Sequence, residues 1–490
     1  MGKRLKSFVF ILASSAILEF AGCSGMGPTG SSPIRTPSPD PDPTPISAPN
    51  QWTWVSGSNT VNQQGSYGTL GVPAPGNTPG ARQGAVSWTD AAGDLWLFGG
   101  AAAPVGGGCN KYDPLCWAGT NSFFNDLWRF SGNEWTWMNG SDITDQAGIY
   151  GVQGVPSPTD APGARYGAAS WRDASGNLWL FGGMGYDSAG NVGALNDLWK
   201  YSGGQWTWVG GSNVVNQPGA YGMLGAASPG NFPGARSNAV SATDASGNFW
   251  LFGGVGCDST PNCGGALNDL WEYSSGQWTW LSGATISYPA QPGVFGTEGT
   301  PAPGNHPGAR YSATGWMGAS GNLWIFGGIG YNTYYLNLAE LNDFWKYSAG
   351  QWTWVGGYSN LIDQNGVYGT QGTPAPGNIP GSRDSAMSWT DAAGNLWFFG
   401  GEGFGSNGGG FFNDLWKFSG GEWTWMGGSS VGGQQGTYGT LGTPAAGNVP
   451  GGRVNAATWT DAHGNLWLFG GFAVESGTAG YFNDLWEYQP

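Results

Sequence analysis

Apolar and polar positions along residues 51–490 fall into short blocks, each rich in Trp, Phe, Leu and Val and bounded by Gly, Asn, Asp or Ser. Such blocks predict β-strands separated by tight turns. In Leu95-Trp96-Leu97-Phe98, Trp96 and Phe98 lie on one face and Leu95 and Leu97 on the other. In Trp135-Thr136-Trp137 the two indoles share a face. The blocks recur in a fixed order: an Arg after Pro-Gly-Ala or a close variant, an apolar stretch, a turn such as Asp90-Ala91-Ala92-Gly93, a run ending in Gly99-Gly100, a variable loop, Asn125-Asp126-Leu127-Trp128, and Trp135-Thr136-Trp137. The arginines are Arg82, Arg165, Arg236, Arg310, Arg383 and Arg453, spaced 83, 71, 74, 73 and 70 residues apart. That spacing holds four short strands and their connections, so the pattern predicts a four-stranded antiparallel meander repeated six times.

A meander of this size cannot bury both faces alone and must stack on its neighbours. Radial stacking gives a β-propeller. The Arg, the Gly-Gly doublet ending the second strand, the aromatic third strand and the Trp of the fourth resemble the kelch repeat. Asn-Asp-Leu-Trp and Trp-Thr-Trp resemble the bacterial kelch-like and galactose-oxidase-central-domain-like proteins. The resemblance covers residues 51–490 and implies an all-β, six-bladed propeller. The sixth repeat ends at Tyr488-Gln489-Pro490 without Trp-Thr-Trp, and the missing copy stands at Trp52-Thr53-Trp54. The N-terminal strand is therefore expected to complete the last blade and remove two open edges, which otherwise invite aggregation.

Composition changes this picture little. Gly (93) and Pro (31) approach the range of low-complexity chains, but 15 % aromatic against 10 % charged residues opposes disorder. The net charge of −15, with no cluster of Lys and Arg, excludes nucleic acid and disfavours anionic membrane surfaces as partners.

The first 22 residues read as a targeting signal. Lys3, Arg4 and Lys6 precede an apolar run, Phe8 to Leu18, that is shorter than the roughly 20 residues needed to span a bilayer. The run ends at Phe20-Ala21-Gly22-Cys23, which resembles a bacterial lipobox. That resemblance implies cleavage before Cys23, acylation of its thiol and anchoring in the cell envelope, at the outer membrane or cell surface. Phe20 and Glu19 depart from the usual pattern, and an ordinary secretory signal, with secretion of the protein, is the alternative. Residues 23–50 are rich in Pro and Ser and form a semi-rigid tether that reaches roughly 80 Å at about 3.1 Å per residue.

Of the 30 tryptophans, all but Trp117 recur at repeat positions and are expected to pack the blades. The recurring Asp126, Asp197, Asp269, Asp343, Asp414 and Asp484 are expected to pair with the repeated arginines rather than act as catalytic carboxylates. Asp90, Asp173, Asp244, Asp391 and Asp461 belong to hairpin turns. Gly318 takes that place in the fourth repeat.

The copper of galactose oxidase is held by His and Tyr, with a Cys–Tyr crosslink. This chain has two histidines, His306 and His463, at positions where other repeats carry unrelated residues. No copper chemistry and no cofactor are expected. No nucleophile motif, phosphate loop or zinc spacing is present, and no catalytic residue is assigned. A sugar epimerase or mutarotase-like enzyme needs only Arg, Glu and Asn in its pocket and stays as the third reading, although loop Glu residues are scarce (Glu298, Glu340, Glu402, Glu475). Cys109 with Cys116, and Cys257 with Cys263, suit local disulfides in an oxidising compartment. Two cysteines alone are too few for a metal site.

In a meander the second-to-third loops and the repeat-to-repeat crossovers share one face. The loops vary most in length and carry Tyr112, Trp117, Tyr186, Tyr331, Tyr334, Tyr335, Phe404 and Phe472, the candidate binding residues. The crossovers are regular and are expected to form a packed cover over that face. The expected function is that of a monomeric, non-catalytic module that binds a protein partner at the cell surface. A carbohydrate-binding propeller for extracellular glycans is the alternative.

Overall fold

Each repeat contains a four-stranded antiparallel sheet, and in the first five its strands run from inner to outer in chain order. In the first repeat these strands are Val86–Thr89, Leu95–Phe98, Leu127–Ser131 and Glu134–Asn139. The computed structural model describes residues 49–102, 122–333, 337–475 and 478–490, without the side chain of Glu475. The described residues are all-β, and their four-stranded antiparallel sheets are consistent with a propeller. Cys23, Cys109, Tyr112, Cys116, Trp117, Tyr334 and Tyr335 lie outside them, as does the whole signal and most of the tether.

In the sixth repeat the outer position is taken by Trp52–Ser56, which pairs antiparallel with Leu485–Tyr488, Trp54 opposite Trp486. Inner strands of successive sheets touch, and the inner strand of the sixth, Ala457–Thr460, touches that of the first. Two residues after each Arg, the chain takes a left-handed turn at Gly84, Gly167, Asn238, Ser312, Ser385 and Asn455. There each backbone N–H donates to the carbonyl of its counterpart in the preceding repeat, and Gly84 donates to Asn455 at 2.8 Å, so the six bonds form a closed cycle. The left-handed conformation is what turns each N–H toward the neighbouring carbonyl. Glycine adopts it without strain, and Asn does so more readily than most residues.

The Gly-Gly doublets have a matching role. Gly100 N–H donates to the carbonyl of Arg165 in the next repeat at 2.8 Å, and Gly471 to that of Arg82. Both glycines of each doublet have positive φ, and a Cβ on Gly99 would meet the Arg165 carbonyl.

Indoles fill the space between sheets. The first Trp of each outer strand, Trp135 for example, is buried against the neighbouring sheet, where it meets Phe469 at 5.4 Å. Five inner-strand indoles also donate across a seam: Trp88 to the carbonyl of Trp179, Trp171 to Trp250, Trp316 to Trp397, Trp389 to Trp467 and Trp459 to Trp96. The third repeat has Ala242 there, and Met317 of the next repeat packs against the same cluster. The third-to-fourth seam is also where Gly315 replaces Ser, and a Cβ on it would strike Val240.

Each Arg is fully buried in a fork-to-fork pair. Arg82 donates to both oxygens of Asp126, at 2.6 and 2.8 Å, and to the carbonyls of Gly80 and Gly99. Asp126 Oδ2 also accepts from the Tyr67 hydroxyl and the Trp128 indole, both at 2.7 Å. Four donors thus meet the carboxylate, one at Oδ1 and three at Oδ2, the kind of hydrogen bonding that burial of an ion pair demands. Burial, and then the Asp126 charge, push the Tyr67 phenol far above its usual range. The same group recurs in all six repeats, except that Phe295 stands for Tyr in the fourth.

The crossovers differ from expectation. Their first halves do lie against the loop side, where the N–H groups of Asp145 and Asn216 donate to the carbonyls of Phe123 and Ala194 at 2.8 and 2.7 Å, but their second halves run along the outer strand of the repeat they lead into. Gly71 N–H donates to the Trp137 carbonyl at 2.7 Å, and Gly154, Gly225, Gly299, Gly372 and Gly442 do the same to Trp208, Trp280, Trp354, Trp425 and Trp54. The Asn of Pro-Gly-Asn caps the other exposed carbonyl, Asn77 Nδ2 donating to Trp135 at 3.1 Å. An outer strand presents a row of unpaired backbone groups, and the crossovers satisfy part of it.

Candidate binding surface

Two surfaces stand on either side of the backbone cycle. On the side of the short turns, the inner strands surround a cavity of about 520 Å³. Its wall carries Ser87, Ser170, Ser241, Ser388, Thr458 and Thr460, and no ionisable side chain lines it. Five of the hydroxyls are committed to neighbouring strands: Ser170 donates to the Ser87 carbonyl, Ser87 to Thr458, Thr458 to Ser388, Ser388 to Gly315 and Thr460 to Thr390. This wall offers no acid or base for proton transfer.

On the loop side, the second strands continue beyond the glycines and pair with the segments that carry the arginines. Tyr186, Tyr331 and Phe404 occupy the same position in the second, fourth and fifth repeats, one residue past the glycine opposite the Arg. Their carbonyls press on Gly163, Gly308 and Gly381, where a Cβ would collide. This explains the Gly of Pro-Gly-Ala-Arg. All three rings are half-buried. Tyr186 packs on Phe123 at 6.1 Å, and Phe472 on Phe411 and Tyr481 at 5.7 and 5.3 Å. Each packs within its own sheet or on the adjacent one, so these four do not form a common aromatic platform. Cys257 shares the position of Tyr186 and is disulfide-bonded to Cys263.

The residue that follows each Arg went unnoticed in the sequence. It is Gln83, Tyr166, Ser237, Tyr311, Asp384 or Val454, different in nearly every repeat, between an invariant Arg and the backbone cycle. Burial pushes the Tyr166 phenol far up, and Tyr481 and Tyr311, from the sixth and fourth repeats, add to the rise. The three tyrosines belong to non-adjacent sheets, those of the second, fourth and sixth repeats. Glu340 and Glu402 lie in the same strand pairs, two ladder positions from Tyr311 and directly opposite Asp384. The signal was available: one variable position inside an otherwise constant motif marks where six equal sheets present six different side chains.

The rim of the loop side is aliphatic. Ile143 is 65 % exposed, and Val214, Ile286 and Val431 repeat its position in other crossovers.

No protein-family profile matches the chain, and no curated protein matches it. Solved structures do. YjhT is 14 % identical, with 76 % of this chain and 99 % of that one covered and a TM-score of 0.40. A fungal alcohol oxidase of the AA5 family, in complex with copper, is 14 % identical over 87 % of this chain and 76 % of its own, with a TM-score of 0.42. A protein of unknown function from Dyadobacter fermentans is 8 % identical over 91 % of this chain and all of its own (100 %), with a TM-score of 0.45. Among the described residues of this chain, no group of three or more His, Cys, Asp or Glu is placed to hold a metal ion.

Proposed function

We propose that this chain is a six-bladed kelch-type propeller, closed by its N-terminal strand, and that it serves as a non-catalytic interaction module tethered to the bacterial cell envelope through Cys23. The closed cycle of six backbone bonds and the pairing of Trp52–Ser56 with Leu485–Tyr488 support the blade number. The partner is a protein. The observation that carries this choice is the repeated exposure of aliphatic side chains, Ile143, Val214, Ile286 and Val431, on the loop side, where the described aromatic rings are half-buried. Exposed apolar groups rimmed by polar ones mark protein contacts, whereas glycan capture calls for open aromatic faces.

The test is cross-linking on whole cells, comparing wild type with Ile143→Asp and Val214→Asp. A specific adduct lost in both variants supports the reading. An unchanged adduct, or a glycan-array signal untouched by either variant, overturns it. Cys23→Ser tests the anchor separately: release of the protein into the medium is expected, and continued membrane retention would refute lipidation.

A further inference from the structure

In five repeats the turn between inner and second strands is built around a carboxylate. Asp173 Oδ1 accepts from the backbone N–H of Ser175 at 3.0 Å and of Asn177 at 2.9 Å. Its Oδ2 accepts from Asn177 Nδ2 at 2.8 Å and the Trp179 indole at 2.9 Å, and Lys200 stands 3.6 Å away. The fifth repeat repeats this with Asp391, Asn395, Trp397 and Lys417.

The fourth repeat has the same turn without its acid. Residues 173–179 read Asp-Ala-Ser-Gly-Asn-Leu-Trp, and residues 318–324 read Gly-Ala-Ser-Gly-Asn-Leu-Trp. The backbone is preserved: Gly318 N–H donates to the Asn322 carbonyl and Gly321 N–H to that of Gly318, both at 2.9 Å, as Asp173 and Gly176 do in the second repeat. Lys346 stands opposite Trp324 in the ladder, as Lys200 stands opposite Trp179. Its ammonium lies 5.4 Å from the Trp324 ring and joins no ion pair among the described residues. The Trp324 indole nitrogen stands 2.9 Å from where a Cβ of residue 318 would sit, so a carboxylate takes this place only with the ring displaced outward. Two cavities, of about 360 and 410 Å³, flank the Trp324–Lys346 pair.

We infer that this turn is a receptor for a carboxylate supplied from outside the chain. The backbone N–H groups of Ser320 and Asn322 and the Trp324 indole match the donors that all five other repeats spend on their own carboxyl, the Asn322 amide matches one used in four of them, and the Lys346 ammonium matches the lysine held beside it in the second and fifth. The smaller cavity lies between this turn and the fifth repeat, with Ser320, Asn322, Asn395 and Ser419 on its wall. It is concave and falls in the size range of small-ligand sites; the Asn395 amide is spent on Asp391, but the Ser320 and Ser419 hydroxyls and the Asn322 amide suit a polyhydroxylated ligand. The ligand is therefore a uronic-acid unit of an acidic glycan rather than an acidic side chain of a protein. The site opens on the face of the short turns, opposite the loop side, so its failure and that of the loop-side reading are separable.

Isothermal titration of the purified protein with sodium glucuronate tests this, with glucose, sodium acetate and a tetraglutamate peptide as the other arms. Glucuronate should bind saturably, acetate more weakly and glucose not at all. Gly318→Asp, which supplies the carboxylate in cis, and Lys346→Gln should each weaken glucuronate by about tenfold or more, the loss of one charged hydrogen bond. Gly318→Asp must push the Trp324 ring aside, and if it fails to fold, Lys346→Gln decides alone. No saturation by glucuronate, or unchanged binding in Lys346→Gln, overturns the site. Acetate or tetraglutamate binding as tightly as glucuronate overturns the assignment to a uronate.

Discussion

The indole of Trp459 donates to the backbone carbonyl of Trp96 at 2.8 Å, across 363 residues of sequence. It joins the sixth repeat to the first by the same bond that joins the first to the second.

Replacing Trp459 by Phe keeps most of the ring and removes that bond. The expected cost is about 0.5–1.5 kcal/mol. Trp459→Ala also opens a cavity and should cost about 3–5 kcal/mol. Urea denaturation separates the two, and equal midpoints for wild type and Trp459→Ala would contradict the seam.

Deleting residues 51–55 removes nearly all of the strand that completes the sixth sheet. Calorimetry should show a sharply lower melting temperature. An unchanged melt would mean that the N-terminal strand closes nothing.

The buried ion-pair group offers a gain as well as a loss. Phe295 stacks on Trp345 and Trp354 at 4.8 and 5.4 Å, as Tyr368 does on Trp416 and Trp425 at 4.8 and 5.3 Å. A hydroxyl added by Phe295→Tyr therefore reaches Asp343 and should stabilise the fold by about 1 kcal/mol, while Tyr368→Phe should cost about 1.5–3 kcal/mol. Chemical denaturation of both variants measures this, and a destabilising Phe295→Tyr would show that the fourth repeat is packed differently.

Acid should unfold the protein through its turn carboxylates. Burial opposes ionisation of Asp391, but the Asn395 and Trp397 donors and the Lys417 charge hold it below its ordinary value. Asp173 and Asp244 are lowered in the same way. A depressed folded value means that the stabilisation is present above the unfolded carboxyl value of about 3.9 and is lost as pH falls through the folded one. Melting temperature should drop below about pH 4, and Asp391→Asn should flatten that drop. An identical acid profile for the variant would remove the carboxylate from the explanation.

The repeat architecture was legible because each of its parts is local. A strand's face, a turn's Asp-Gly and the Gly-Gly doublet can be read from neighbouring residues, and Trp52-Thr53-Trp54 told by its absence at the other end where it belongs. Trp135 and its counterparts were read as packing, and they are buried. What the sequence hid are relationships between repeats. The crossover's grip on the Trp137 carbonyl depends on where a connection folds back, which no periodicity encodes. Tyr166 comes within electrostatic reach of Tyr311 and Tyr481 only because non-adjacent sheets converge. Of the candidate binding aromatics, Tyr186, Tyr331 and Phe404 share one structural position, a relation hidden by the unequal lengths of their loops.

The strand that completes the sixth sheet is made before every other strand described above, and its partner Leu485–Tyr488 after them all. Until the final strand is made, Trp52 has no lasting place and the sheet that awaits it keeps an open side. Closing the sixth sheet therefore joins strands more than 400 residues apart, a contact whose loop-closure cost places it late in folding.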